Sequence, residues 1–525
     1  MASAPKVEVA CSPSAGGSAA GSPVNDDFSS CDCSPQANDM NEEITAESAQ
    51  AAESSSVAPA DSADVVKAPG ARLLTLLIMV GGLEGADAVL LPCVFFALQR
   101  DLGLSLNDLA VMSMIQALSG NLASPVWGIL ADRGAFKRRT IIITGCIVQG
   151  LITMVLAGVD HLWFMLLLRA LNGVMLASLR PIMSGIIADV TSETNRGKVY
   201  GALGIAMNIG TMLGAFIGTN LGRKNISGMQ GWRVSFLLIG GLSVLVGLVA
   251  AAIMPEPPRS SATGASGTGR GLSAVKSELR ELWSYFRLPS FCVLILQGCF
   301  GSVPWNALGY KTLFFQLEGI SDLQTSAIDI ASQIAGSLGA LLGGAIGDAL
   351  SKFSRNHGRP ITAQISVLAG IPVAWFIFMQ VPPEGEAFAY YMCLMIVLGL
   401  TATWCGVGVN LPILSEIVAG DRRATIMAWE GTLESSCSAI FGNAMVGFLA
   451  QHVFGYDLSA SGAGGAENTK ALGSALMLVS FFPWVLCFVC YSFLHWSYGR
   501  DLKRVQERQA VAAKMAGDGE PRAKV

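Results

Sequence analysis

Charge is scarce in this chain of 525 residues. Asp, Glu, Lys and Arg make up 14% of it, where a soluble domain carries about a quarter. Histidine is scarcer still, with 4 in all. No nucleophile–base pair and no cluster with metal-ligand spacing stands out. The expectation is therefore a protein that is not an enzyme and holds no metal and no cofactor. A phosphate-binding loop of the G-x-x-x-x-G-K type is also missing, which argues against ATP as an energy source. The net charge of −4 offers no basic excess, and no nucleic-acid partner is expected. The 12 cysteines form no disulfide framework: nine lie in apolar stretches, where a thiol behaves as a small hydrophobe. No apolar core flanked by basic residues opens the chain, so a cleaved secretory signal is not expected.

Apolar residues are abundant, at 52%, and they are gathered into blocks. These run near 73–98, 108–131, 140–158, 162–189, 199–221 and 233–254, then 291–316, 325–350, 361–380, 388–416, 424–450 and 471–495. About 20 apolar residues are what one helix needs to cross a hydrocarbon core. The pattern predicts an all-α membrane protein with twelve transmembrane helices and a lipid bilayer as its surroundings. Residues 1–70 are rich in Ser, Ala, Gly, Asp and Glu without apolar period and read as a disordered tail. Residues 71–254 and 290–496 read as two six-helix bundles, 255–289 as a linker and 497–525 as a C-terminal tail. If both termini share a side, that side holds 25 Lys and Arg and the other side 5. The asymmetry predicts that both termini are cytosolic. Asn225-Ile226-Ser227 is a glycosylation sequon on the far side, in a loop short enough to hold it against the membrane.

The two halves look alike. Gly128–Asp132 (GILAD) ends the second helix, and Gly344–Asp348 (GAIGD) ends the eighth. Asp189 precedes Arg196 by seven residues after helix 4, and Glu416 precedes Arg423 by the same spacing after helix 10. Such recurrence predicts a parallel repeat of the kind found in secondary transporters. Gly210, Gly214 and Gly218 line one face of helix 5, and Gly339, Gly343 and Gly347 one face of helix 8. Glycine stripes allow close backbone approach, and these two predict a sliding interface between the halves.

At this point the chain resembles the major facilitator superfamily. GILADRGAFKRR is similar to its loop 2–3 signature, although Gly134 stands one residue early and Ala135 occupies the usual glycine position. RALNG, which carries Arg169 and Asn172, is similar to its helix 4 signature. LEGADAVLLP, SETNRGKVYG, GWRVSF, GSVPWNALGYKTLFFQLEG and AQHVFGY resemble the Spinster-like branch and a group of plant facilitators. Helix 5 lacks the Gly-Pro pair of drug–proton antiporters. PEPPR at 255–259 is like a sugar-porter motif, but the helix 7 glutamine pair is absent. The resemblance implies the major facilitator fold, two six-helix halves related by pseudo-symmetry, working as a monomer by alternating access. The implied function is secondary transport of a small organic solute or a lipid-like amphipath, with protons as the coupling ion. The rivals are an uncoupled uniporter for a sugar-like substrate and a non-transporting receptor that kept the fold.

Ionisable groups inside a crossing helix are costly and usually face a cavity or a partner. The substrate and proton pathway is therefore sought at Glu84 and Asp87 on helix 1, at Arg169, Asn172 and Arg180 on helix 4, and at Glu430 and Glu434 on helix 11. Trp305, Asn306, Tyr310 and Trp404 are candidate cavity walls. Lys311 and Asp329 lie toward the outer ends of helices 7 and 8. Glu84 is about 12 residues into helix 1, so ~18 Å deep, and a contact of Glu84 or Asp87 with Arg169 is expected. The gating candidates are Asp132, Arg133, Asp189, Arg196, Asp348, Glu416 and Arg423, all at the cytosolic helix ends. The resemblance places Asp132 at the start of helix 11, near Arg422 and Arg423, and the repeat then places Asp348 near Arg196, contacts that would form only when the cytosolic side is closed.

Overall fold

The computed structural model describes residues 71–132, 136–191, 193–257, 280, 282–418, 423–457 and 465–518. The expected N-terminal tail, most of the linker and the end of the C-terminal tail lie outside them. Twelve helical segments follow one another. They are α1 (Ala71–Cys93, continued by Phe95–Leu102), α2 (Leu106–Asp132), α3 (Arg138–Leu156), α4 (Leu162–Val190), α5 (Glu193–Gly222) and α6 (Gly231–Ile253). After the linker come α7 (Pro289–Leu317), α8 (Asp322–Phe353), α9 (Gly358–Met379) and α10 (Ala387–Ile417). α11 is Arg423–Ser438, a π-helical turn Ala439–Asn443, Ala444–Phe448 and a second π-helical turn Leu449–Val453. α12 is Gly465–Asp518. Eleven of these are long and apolar enough to cross a membrane. α11 is the exception because its two π turns divide it and its first segment carries Glu430 and Glu434.

Local chemistry sets the helix ends. Ser321 and Gln324 form a capping box that starts α8, satisfying two orphan amides reciprocally. Pro289 stands in the first turn of α7, where its missing N–H costs nothing. Gly103, at φ 64°, ends the α1 continuation in a left-handed cap. The sole hairpin among the described residues, Asn225–Ile226 with Met229–Gln230, joins α5 to α6. It turns through Ser227 and Gly228, both at positive φ, and carries the exposed sequon asparagine.

Helix pairing repeats between the halves. α1 packs on α5 as α7 packs on α11; α2 on α4 as α8 on α10; α3 on α6 as α9 on α12. α6 and α12 present apolar stripes outward, through Leu238, Leu242 and Leu245, and through Phe482, Leu486 and Val489. Spacing of three or four residues puts each stripe on one helix face, which suits lipid contact. The glycine stripes correct an expectation. They do not face each other across the halves. A Cβ on Gly210 or Gly214 would meet backbone of Gly82 or Ala86 on α1, and one on Gly339 or Gly347 would meet Gly399 or Gly408 on α10. The stripes close helix pairs inside each half, and the helix 5–helix 8 contact uses other residues.

Candidate transport cavity

Two lobes of a central cavity open between the halves, of about 530 and 640 Å³. Val89 and Pro92 of α1 and Trp305 and Gly309 of α7 line both lobes, so the α1–α7 contact is the partition. The smaller lobe carries Glu84 and Arg180, with Gln116 and Asn121 of α2 and Asn306 and Asn443 opposite. The larger carries Lys311 and Asp329, with Asn208, Gln333 and Ser337.

Arg180 Nε donates to Glu84 Oε1 at 3.1 Å. The arginine side chain is 64% exposed and the glutamate 11%, so the cation stands in the cavity with the acid behind it. The structure here differs from the expected Arg169 contact. Arg169 is fully buried and donates to Gln116 Oε1. Gln116 Nε2 donates to Asn172 Oδ1 at 2.6 Å, Asn172 Nδ2 to Thr153 Oγ1 at 3.0 Å, and Thr153 Oγ1 to Asp87 Oδ1 at 2.9 Å. Asp87 and Arg169 are thus joined by a chain of neutral groups behind the cavity wall. Glu84 and Asp87 part because three residues along a helix leave side chains about 60° apart: one faces α4 and the cavity, the other α3.

On the second half, Trp305 is 40% exposed in the cavity and Asn306 Nδ2 donates to Ser438 Oγ at 2.7 Å. Trp404 packs over Gly343 and donates its indole N–H to Leu400 O at 2.6 Å. Tyr310 lines neither lobe. It is fully buried, with its ring 5.1 Å from Phe95, because it closes the contact between α1 and α7. Glu430 and Glu434 lie one helical turn apart on α11, away from both lobes. A Cβ on Gly298 would fall 1.5 Å from Glu434 Oε1, so that glycine makes room for the carboxyl. The residues passed over as site members are Lys311 and Asp329. They lie toward the outer ends of α7 and α8, and the larger lobe reaches them there.

The gating candidates hold their own halves together. Arg138 and Asp189 form a buried ion pair. Arg196 donates to Ala188 O at 2.9 Å and Arg423 to Ser415 O at 2.6 Å, so each caps the preceding helix eight residues back, where basic groups favour carbonyl ends. Glu416 accepts from Tyr498 at 2.6 Å. Asp348 does not meet Arg196; it pairs with Arg359 at 3.0 Å, the nearer cation at the start of α9. The side chain of Asp132, and Arg133, lie outside the described residues.

The sequence profile of the Major Facilitator Superfamily matches residues 76–442. The chain belongs to this superfamily. It is a membrane transporter, similar to the sphingosine-1-phosphate transporter SPNS2 of Mus musculus, at 23% identity over 416 residues, covering 74% of this chain and 70% of that one. The quinolone resistance protein NorA of Staphylococcus aureus (strain MRSA252) is 26% identical over 199 residues, covering 38% of this chain and 47% of its own. The fold is similar to a bacterial homolog of the human lysosomal transporter Spinster, at TM-score 0.67 and 18% identity, covering 83% of this chain and 98% of that one. It is also similar to a D-xylose–proton symporter, at TM-score 0.57 and 16% identity, covering 78% and 96%.

Transporters of this superfamily expose the site to one side at a time, and the contacts here are one-sided. Among the described residues, the hydrogen bonds and ion pairs between the halves start near mid-helix, at Asn121–Ser436 (3.3 Å) and Asn208–Ser337 (3.2 Å). They continue only away from the termini, through Asn220–Ser326 (2.7 Å), Asn107–Gln451 (3.2 Å), Gln99–Tyr456 (2.9 Å) and Arg223–Asp322 (3.3 Å). These contacts close the far side of the cavity. Gly447 on α11 meets α2 in this closure: a Cβ there would be 3.1 Å from Ala110 Cβ and Leu106 O. Gly447→Leu is expected to wedge this gate apart and favour the opposite state. A shift of 1–3 kcal/mol changes the population ratio about 5- to 150-fold. Labelling of a cysteine placed at Asn306 by an impermeant maleimide added on the far side should rise accordingly. Unchanged labelling would show that this contact does not hold the gate.

Proposed function

We propose that the protein carries an amphipathic organic molecule with an anionic group, coupled to protons. Arg180 receives the anion and Glu84 carries the proton. The observation that supports this most is the Glu84–Arg180 pair on the cavity wall, with its cation turned to the open space. When a substrate anion takes Arg180, Glu84 loses its counter-ion in a poorly hydrated place, where an unpaired carboxylate is costly. Taking up a proton removes that cost. The two apolar-walled lobes offer room for a single-chain amphipath. Asp87, Arg169, Asn172 and Gln116 act as the frame that orients α4, and Trp305 and Asn306 as walls. Sphingosine 1-phosphate, which the SPNS2 relatives carry in their names, has the proposed chemistry and is the first probe. The test is uptake of labelled sphingosine 1-phosphate into proteoliposomes with and without an imposed pH step. Accumulation that follows the step supports the reading. Uptake that ignores it makes the protein an uncoupled uniporter, and binding without flux makes it a receptor.

The 25-to-5 division of basic residues supports a topology with both termini in the cytosol and the cavity opening to that side. Tags at each end of the surface-expressed protein should react with antibody only after permeabilisation. For protein in an organelle, protease added outside should remove both. Protection of either tag would overturn this topology.

A further inference from the structure

The larger lobe holds an ion pair that the Glu84–Arg180 cycle leaves unused. Lys311 Nζ on α7 is 3.1 Å from Asp329 Oδ1 on α8. Thr312 Oγ1 donates to Asp329 Oδ2 at 2.9 Å, and Lys311 Nζ to Ser332 Oγ at 3.4 Å. The lysine side chain is 19% exposed and the aspartate 5%, so the positive end faces the cavity here too. Removing two charges from water costs several kcal/mol per ion, and a pair that serves only packing is replaceable by apolar side chains without loss. This pair lies instead on a cavity wall, with the amide of Gln333 one turn along α8 and that of Asn208 across from it on α5. These groups can donate hydrogen bonds to an oxyanion.

We infer that the larger lobe is a second anion-binding subsite, in which an organic oxyanion displaces Asp329 from Lys311 and Asp329 takes up a proton. The charge balances. Before binding, the ammonium and carboxylate cancel; afterwards the ammonium and the oxyanion cancel, and a proton taken up from solution as hydronium, which leaves as water, forms the O–H of a neutral carboxyl. The other titratable groups on the walls of this lobe are the thiols of Cys93 and Cys405, which titrate above pH 7.5 even when unperturbed. The inference extends the reading of the cavity as the substrate path. Each lobe sets a cation in front of an acid, so the cavity suits a substrate with anionic groups at two places, or two singly charged molecules.

The test uses the full chain in lipid nanodiscs and hexanesulfonate, an anion whose charge does not change between pH 5.5 and 7.5, with hexyltrimethylammonium as control. Binding is followed by calorimetry. In Glu84→Gln/Arg180→Gln, where only the second subsite is charged, hexanesulfonate should still bind and the ammonium compound should not. Affinity should rise as pH falls, by at most about tenfold per unit because one proton is taken up. Adding Asp329→Asn should make binding tighter and independent of pH. Adding Lys311→Gln together with Asp329→Asn, a neutral pair that keeps the hydrogen bonds, should abolish it. A second measurement covers misfolding of the first background: in otherwise native protein, Lys311→Gln/Asp329→Asn should lower the number of bound anions from two to one. If that variant keeps every site, the inference fails while the Arg180 reading stands. If it loses all binding, Arg180 is not an anion site and the proposed function fails instead.

Discussion

Glu84→Gln is expected to abolish accumulation driven by a pH gradient while leaving exchange of substrate across the membrane intact. One coupled proton can sustain a concentration ratio of up to about tenfold for each unit of imposed pH difference, since one unit is worth 1.36 kcal/mol. The variant should bring that ratio down to about one for a substrate whose single anionic group sits at Arg180, since Asp329 takes a proton only when the second subsite is filled. Glutamine keeps a carbonyl oxygen able to accept from Arg180, so the 3.1 Å contact can persist, but it cannot be ionised or take a proton. The guanidinium then has no competing anion in either state of the cycle. Substrate can still bind and the halves can still rearrange, which is all that exchange requires. A ligand drives a conformational equilibrium only through differential interaction with its two states, and removing the charge of Glu84 removes that difference for the proton. Glu430→Gln should be milder, because Glu430 lies outside both lobes. The measurement is uptake into vesicles with a pH step, beside counterflow without one. Full accumulation in Glu84→Gln would mean that another group carries the proton, and Asp329 would then be the next to test.

Gly210→Val is expected to prevent the protein from reaching its folded state. A Cβ at this position would lie 1.8 Å from the carbonyl oxygen of Gly82 and 2.6 Å from its carbonyl carbon. Both are backbone atoms of α1, which cannot rotate aside as a side chain can. The two helices must separate along a contact that also includes Gly214 against Ala86 and Gly85 against Met207. Overpacking in a core typically costs 1–3 kcal/mol and occasionally more. A clash with backbone that no rotamer change can relieve should exceed that range and approach the total stability of about 5–15 kcal/mol, which would remove most of the folded population. The comparison is Gly204→Val in the same helix, where a Cβ meets nothing within 4 Å. Fluorescence-detected size exclusion should show a folded peak for Gly204→Val and little or none for Gly210→Val. Equal peaks would show that α1 and α5 pack differently from this description.

The sequence by itself determined the all-α membrane fold, the helical blocks and their repeat. Length and apolarity of a block depend on nothing outside it, and lipid demands that a crossing segment satisfy its own backbone. The equivalence of Arg196 and Arg423 was legible for a similar reason, since each acts on a carbonyl eight residues back in its own chain segment. Partners between helices were a different matter. Periodicity tells which residues share a face but not which helix that face meets or at what height. Glu84 was visible as a buried acid, yet only the crossing of α1 over α4 chose Arg180 over Arg169. The glycine stripes announced close contacts, and only the packing showed that α1 and α10 receive them. Lys311 and Asp329 were legible only as ionisable groups toward the outer ends of helices 7 and 8. The cavity between the halves is what makes them part of the site, and a cavity is a property of several helices at once.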